Sequence, residues 1–307
     1  MGLSAGRRVL LAAADSPRLG RFVQRYGFRL GASRFVAGQS LDAAVPVLRG
    51  LNEKGLLTNT TLLGEGVTTE AETAAVVGAY RELLDRIAAE GLGTNVALKL
   101  THLGLAVDEE LAQGNLTALV EHAAARGNFV RIDMEESARV EPTLRIYRRL
   151  REAGHDNVGA VLQSYLYRSE DDLAALLPLA PNLRLVKGAY LEPPEIAYPE
   201  KRDVDAAYRR LLQAGLTGTG FTAIATHDGA LIEHAIAFAK ANGIPNERFQ
   251  FQLLYGVRPA LQLALVRRGY AVLVAAPYGP DWYRYLMRRL AERPANVLFL
   301  LRNLVRS

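Results

Sequence analysis

An eight-fold β/α barrel is the fold class this sequence predicts, and three observations lead there. The first is a beat: short apolar segments of strand character recur eight times, each followed by a stretch with helical periodicity. The second is the character of those segments, several of which are apolar without strict alternation, as parallel strands covered on both faces are. The third is length. At 307 residues the chain matches a barrel of about 250 residues plus extensions. An open, doubly wound sheet is the competing reading. It calls for a Gly-rich phosphate turn after the first strand, and Gly64-Glu65-Gly66 lacks the remainder of that fingerprint.

In chain order, residues 1–55 read as a helical N-terminal arm packed on the main body. Residues 18–35 mix arginine with aromatics, and Ser40 is placed to cap a helix carrying Leu41, Val45, Leu48 and Leu51. The barrel then occupies 56–307. Its strands are predicted at 56–63, 95–100, 129–134, 158–162, 183–186, 221–225, 249–254 and 271–275. Helices are predicted at 70–90, 116–125, 143–153, 170–177, 204–214, 230–242, 259–268 and 282–292.

Composition narrows the chemistry. Half the residues are hydrophobic and 22% are charged, the balance of an ordinary soluble enzyme. With no cysteine, disulfides and thiolate metal sites are excluded. The net charge of +5 comes from arginines scattered through helical segments, which argues against a nucleic-acid surface. Arg7-Arg8 followed by residues 9–14 imitates a signal peptide, but its apolar core is too short and Asp15 ends it. No apolar run approaches the ~20 residues of a membrane span, so a cytoplasmic location is expected. Five histidines without a His-x-x-x-His or paired-carboxylate spacing give no reason to expect a catalytic metal. A Gly-x-Ser-x-Gly elbow is also missing, which disfavours the usual serine hydrolase.

Residues ending barrel strands face the functional mouth, and here they are polar. Glu65 follows the first strand, Lys99 lies in the second, and Asp133 and Glu135 end the third. Gln163 ends the fourth, Arg184 and Lys187 bracket the fifth, and Thr226-His227 ends the sixth. Gln252 lies in the seventh, and Tyr278 follows the eighth. Each has a plainer reading. Lys99 could snorkel or pair with Asp133, and Asp133 could pair with Arg131. His227-Asp228 could mark a helix N-cap, Gln163 could satisfy buried backbone, and Arg288-Arg289 with Glu292 could be solvated helix charge. Their convergence on one end of one barrel is the informative fact.

The centre of this set is the run from Arg184 through Lys187-Gly188-Ala189 to Tyr190. Two cations at the mouth of a buried strand are costly to desolvate and call for an anionic partner, either a ligand or a neighbouring carboxylate. Paired arginines suit a carboxylate substrate, because guanidinium forks match its geometry. A cation near a flavin's reactive ring would stabilise its anionic reduced form.

Several runs now carry a resemblance: 184–190, Gln163-Ser164-Tyr165, Ala225-Thr226-His227, 252–256, Pro277-Tyr278-Gly279 and the last-helix run 282–292. Together they resemble the FAD-dependent proline dehydrogenases, in particular the short bacterial monofunctional kind, over nearly the whole chain. The resemblance implies a distorted β/α barrel of the TIM type with FAD at its mouth. It also implies oxidation of L-proline to Δ1-pyrroline-5-carboxylate by hydride transfer from ring C5 to flavin N5. By the same resemblance Arg288, Arg289 and Lys99 hold the proline carboxylate and Glu292 orients the arginine pair. Arg184 lies near flavin N5, with Asp133 in the catalytic network beside Met134. Gln163 bonds the pyrimidine side, while Lys187, Gly188, Ala189, Thr226 and His227 line the rest of the FAD site. Tyr190, Leu254 and Tyr278 lie near the substrate. The family implies a quinone as electron acceptor and hence peripheral membrane contact; a homo-oligomer is left open.

Two departures from the family pattern stand out. Leu273 and Ala275 occupy eighth-strand positions where the family usually has an arginine and a tyrosine, and Thr60-Thr61 replaces an expected Leu-Asp. In the family that tyrosine packs on the proline ring and helps exclude ring-hydroxylated analogues. Ala275 therefore motivates a second reading, a dehydrogenase for hydroxyproline or another cyclic imino acid. A Schiff-base lyase using Lys99 or Lys187 is a third, and a non-catalytic barrel a fourth.

Overall fold

The computed structural model describes residues 28, 32–64, 67–283 and 285–287. Within them eight parallel strands close into a barrel in sequence order. They are β1 (Leu57–Thr60), β2 (Thr94–Lys99), β3 (Val130–Asp133), β4 (Val158–Gln163), β5 (Asn182–Val186), β6 (Phe221–Ala225), β7 (Phe249–Leu254) and β8 (Val272–Ala275). β8 returns to β1 through the pairs Leu57↔Leu273 and Asn59↔Ala275. The α-helices are α1 (Leu41–Asn52), α2 (Glu70–Ala89), α3 (Glu109–Ala124), α4 (Ser137–Glu152), α5 (Ser169–Leu176), α6 (Lys201–Thr217), α7 (Gly229–Ala241) and α8 (Pro259–Arg267). This is a TIM-type α/β barrel, as the eight beats of the sequence predict.

Period-two geometry sorts each strand into a helix-facing and a lumen-facing row. Val96 and Leu98 of β2, Val130 and Ile132 of β3, and Leu183 and Leu185 of β5 join the main apolar cluster beneath the helices. The alternate residues meet across the lumen: Arg184 on β5 bonds Asn59 on β1, Asp133 on β3 and Gln252 on β7. β1 is the least apolar strand, and its hydroxyls are satisfied locally. Thr58 bonds Thr94 at 2.5 Å, and Thr60 donates to the Ala276 carbonyl at 2.8 Å.

Ser40 does cap α1, accepting from the Ala43 amide. α1 sits in the outer ring: Asp42 and Arg49 reach Arg86 and Glu90 at the α2 side, while Gly55 lies against Val266 of α8. Among the described helices it thus lies between α8 and α2. The segment after β8 goes elsewhere. Trp282, Tyr283, Leu286 and Met287 form a separate buried cluster with Ala32, Phe35 and Val36, and Phe28 meets Trp282 edge-on at 5.6 Å. Only the first part of the predicted 282–292 helix lies within the described residues.

Three helices begin earlier than their periodicity suggests. α3 starts at Glu109 because Asp108 caps it, bonding the Leu111 amide at 2.8 Å; the polar run through Gly114 hides its apolar face. α4 starts at Ser137, upstream of a proline that reads as a boundary but lies inside the helix. α6 starts at Lys201, whose charged first turn carries no apolar signal. Residues 35–40, read as helical, instead run as irregular chain with a bridge from Gly38 to Tyr278.

Candidate functional site

Arg184 is the hub. It sits on β5, 8% exposed, with three neutral or anionic oxygens around one guanidinium. Nε donates to Gln252 Oε1 at 2.6 Å, Nη1 to Asp133 Oδ1 at 2.6 Å, and Nη2 to Asn59 Oδ1 at 3.1 Å. Asn59 is itself held by Asn95, amide to amide, at 2.5 Å. Burial pushes the Arg184 guanidinium below its ordinary value, and Asp133 opposes that push. Asp133 therefore pairs with Arg184, not with Lys99 or Arg131, as two of the plainer readings had it. A guanidinium has five N–H donors, so the three bonds leave two for a ligand.

Gln163 ends β4 and is 3% exposed. Its Nε2 donates to the Glu135 carbonyl at 3.3 Å, which satisfies one backbone group as the plain reading holds. Its Oε1, however, is buried with no partner. An orphaned acceptor in a packed interior costs about 1–3 kcal/mol, so at the mouth it is available to a donor from a ligand or an ordered water.

Lys187, just past β5, is clamped between Asp205 of α6 at 2.6 Å and Asp228 after β6 at 3.2 Å, with Lys201 also bonded to Asp205. Burial pushes both carboxyls up, but the Lys187 and Lys201 charges and hydrogen bonds outweigh it and hold them below their ordinary range. Gly188 follows with φ 117°; a Cβ there would lie 2.1 Å from the Tyr165 ring, so this turn admits only glycine. Ala189 is exposed and Tyr190 half-buried. Across the neighbouring strand end, the Thr226 hydroxyl accepts from the Asp228 amide at 3.1 Å, and His227 Nε2 accepts from the Leu254 amide at 3.0 Å. Asp228 caps α7, which makes His227 the residue flanking a cap and also a tie between β6 and β7.

On the other side, Lys99 is half-buried at the end of β2 as the register partner of Asp133. Glu135 is 5% exposed and accepts from the Thr101 amide at 3.2 Å and hydroxyl at 2.6 Å. Burial raises its carboxyl, opposed by those bonds and by the Lys99 charge. Met134 is buried between these groups in sequence. Leu254 is half-buried beside Ala275, which in turn is flanked by Asn59. Tyr278 is 4% exposed and pairs its backbone with Thr61 and Leu63, closing the rim between β8 and β1. Arg288, Arg289, Glu292 and Glu65 lie outside the described residues.

The structure thus brings Asp133, Gln163, Arg184, Lys187, Thr226 and His227 to one face of the barrel, at the C-terminal strand ends. Asn59 and Asn95 were not singled out from the sequence. The consecutive polar residues Thr58, Asn59 and Thr60 in β1 and Thr94-Asn95 at the start of β2 were the available signal. Asp205 lies on a helix with no spacing relation to Lys187 and gave none. Among the described residues no group of three or more His, Asp or Glu could hold a metal, and no helix is long and apolar enough to cross a membrane.

Comparison with known proteins fits this geometry. The family model described as proline dehydrogenase matches residues 44–302. Proline dehydrogenase 1 of Bacillus subtilis (strain 168) is 40% identical over 301 residues, covering 98% of this chain and 99% of that one. The proline dehydrogenase of Deinococcus radiodurans is 40% identical over 305 residues, 98% of each. Among solved structures, proline utilization A (PutA) from Bdellovibrio bacteriovorus superposes with a TM-score of 0.82 at 25% identity, covering 90% of this chain. The chain spans only 34% of that larger protein. By sequence and by fold, the chain belongs to the proline dehydrogenase family.

Proposed function

We propose that the barrel mouth binds FAD and oxidises L-proline to Δ1-pyrroline-5-carboxylate, passing the electrons to a quinone. The observation that carries this reading is the buried, partnerless Gln163 Oε1 at the end of β4, the strand paired with the β5 that carries Arg184. An acceptor there fits the N–H on the pyrimidine side of a flavin, and the donor-rich Arg184 fits its redox edge. The residues present fit the group.

A flavin held by these residues would supply the hydride acceptor for the oxidation of proline at C5. Arg184, held from three sides by Gln252, Asp133 and Asn59, presents a fixed positive charge where negative charge accumulates, with no reorganisation during reaction. Gln163 would hold the pyrimidine edge of the ring through its free oxygen. Lys187 with its two aspartates and Gly188 shape the floor, and Thr226 and His227 continue it. Lys99 offers an ammonium to the substrate carboxylate, with Arg288 and Arg289 as its partners and Glu292 to orient them. Tyr190 and Leu254 form the apolar wall for the proline ring.

A second reading has one observation in its favour. Ala275 lies between Asn59 and Leu254 in the strand register and carries only a methyl group where the family has a tyrosine, which would leave room for a ring bearing a hydroxyl. The Schiff-base reading loses ground at Lys187, whose ammonium sits between two carboxylates, the opposite of the desolvated amine that imine formation needs.

Purified protein assayed with L-proline and a water-soluble quinone, with the cyclic imine product trapped by an aromatic amino-aldehyde, tests the reading. Proline-dependent quinone reduction with stoichiometric trapped product is expected. Flavin-containing protein that reduces no quinone with proline, but does with 4-hydroxyproline, would transfer the assignment to the second reading.

A further inference from the structure

Arg131 is a buried cation that the mouth does not touch. It lies on β3 two residues before Asp133, on the same lumen-facing row, and is 2% exposed. Its hydrogen bonds end on neutral oxygens: Nη1 on the Ala160 carbonyl at 2.9 Å and the Asn182 carbonyl at 2.8 Å, and Nη2 on Asn182 Oδ1 at 2.5 Å. The Phe129 ring lies 4.9 Å from its Cζ. Asp133 attracts it from a distance, but that carboxylate is bonded to Arg184.

Such an arrangement is expensive. Burying an ion without a bonded counter-ion costs several kcal/mol, and apolar replacements of buried charges are often stabilising. Two further strands are nevertheless fitted around it. Gly159 of β4 leaves the space, since a Cβ there would stand 2.3 Å from Nη1, and Asn182 of β5 supplies two of the three acceptors. Burial pushes the Arg131 guanidinium down to about 9, and the Arg184 charge pushes the same way. Arg131 stands two residues below Asp133 on one lumen-facing row, and Asp133 is bonded to Arg184, so the Arg131 charge lies one layer beneath the hub.

We infer that Arg131 is a charge-setting residue of this site: an uncompensated positive charge beneath Arg184 that favours the reduced, anionic state of a flavin at the mouth. The inference rests on the flavin reading above. Oxidised flavin that takes up two electrons and one proton ends as an anion, and a nearby positive charge lowers its energy relative to the neutral oxidised ring. A unit charge about 10 Å away in surroundings of effective dielectric about 20 shifts such an equilibrium by on the order of tenfold. For a two-electron couple tenfold is about 30 mV.

Asn182→Asp is the informative variant. It keeps Arg131 and the shape of its pocket but places a carboxylate against the guanidinium, cancelling the charge without opening a hole. The measurement is the midpoint potential of the bound flavin, by equilibration with dithionite and redox dyes, alongside Tm. Asn182→Asp is expected to lower the potential by about 30 mV, a tenfold shift, with Tm kept or raised. Arg131→Lys is expected to stay near the wild-type value, and Arg131→Met, where it folds, to fall with Asn182→Asp. A merely structural Arg131 gives a lower Tm in Arg131→Met and an unchanged potential in Asn182→Asp, and that result overturns the inference while leaving the flavin reading standing. Wild-type protein that binds no flavin overturns both.

Discussion

Gln163, Gly188 and Ala275 are where single side chains decide most. Replacing Gln163 with Leu removes the waiting acceptor. One neutral hydrogen bond is worth about 0.5–1.5 kcal/mol, so FAD affinity for the apoprotein should weaken about two- to tenfold in a fluorescence titration. Unaltered affinity would deny Gln163 a role in flavin binding. Gly188→Ala forces a Cβ onto the Tyr165 ring at φ 117°, and a loss of about 1–3 kcal/mol is expected from urea unfolding. Ala275→Tyr should raise the kcat/KM preference for proline over 4-hydroxyproline; equal ratios in parent and variant would remove Ala275 from the specificity argument. At this scale the sequence was legible wherever a polar residue interrupts an apolar strand end, as at Gln163, Arg184 and Thr226. It was silent on partners from distant chain. Asn59 meets Arg184 across 125 residues, and no local spacing encodes a contact that only barrel closure creates.

Elements are joined in two tiers. At the mouth, loops are stitched by polar ties: Glu135 to Thr101, Glu192 to the Ser137 amide and hydroxyl at 2.7 Å each, Lys187 to Asp228, and His227 to the Leu254 amide. Glu192 also supplies α4 with the side-chain cap that Glu136 does not. Around the outside, neighbouring helices are linked by ion pairs, among them Glu109–Arg145, Glu141–Arg168 and Glu170–Arg210. These outer pairs are half-exposed and individually weak. Glu170→Gln should cost no more than about 1 kcal/mol, and high salt should close the gap to the parent. A larger, salt-insensitive loss in chemical denaturation would mean the pair acts through packing. Helix existence was readable from apolar period, as in α2 and α7. Helix starts were not, because first turns such as Lys201–Asp205 are charged, and caps such as Asp108 reveal themselves only through the amide they bond.

The proposed site occupies the C-terminal end of the strands, and the rest of the molecule holds it in place. Eight βα units were readable as a count, and the count fixes which ends face the mouth. The place of α1 in the outer ring was not, since an amphipathic helix before the first strand could pack on any open apolar face. Stability against acid follows from the Lys187 cluster. Asp205 and Asp228 are held below their ordinary range, so their contribution is fully present above the unfolded value near 3.9. It is lost as pH falls through the lower folded values. Lys187→Met should make the acid limb of the stability profile shallower, as followed by Tm against pH; an unchanged limb would assign acid sensitivity elsewhere. The polar groups around Arg184 and Gln163 are the proposed site of a flavin reduced by a cyclic imino acid. Anaerobic titration of the purified protein with L-proline, then with 4-hydroxyproline, tests it most directly. Loss of the visible flavin absorbance on adding proline is the predicted result, and a bound flavin that neither amino acid bleaches would contradict it.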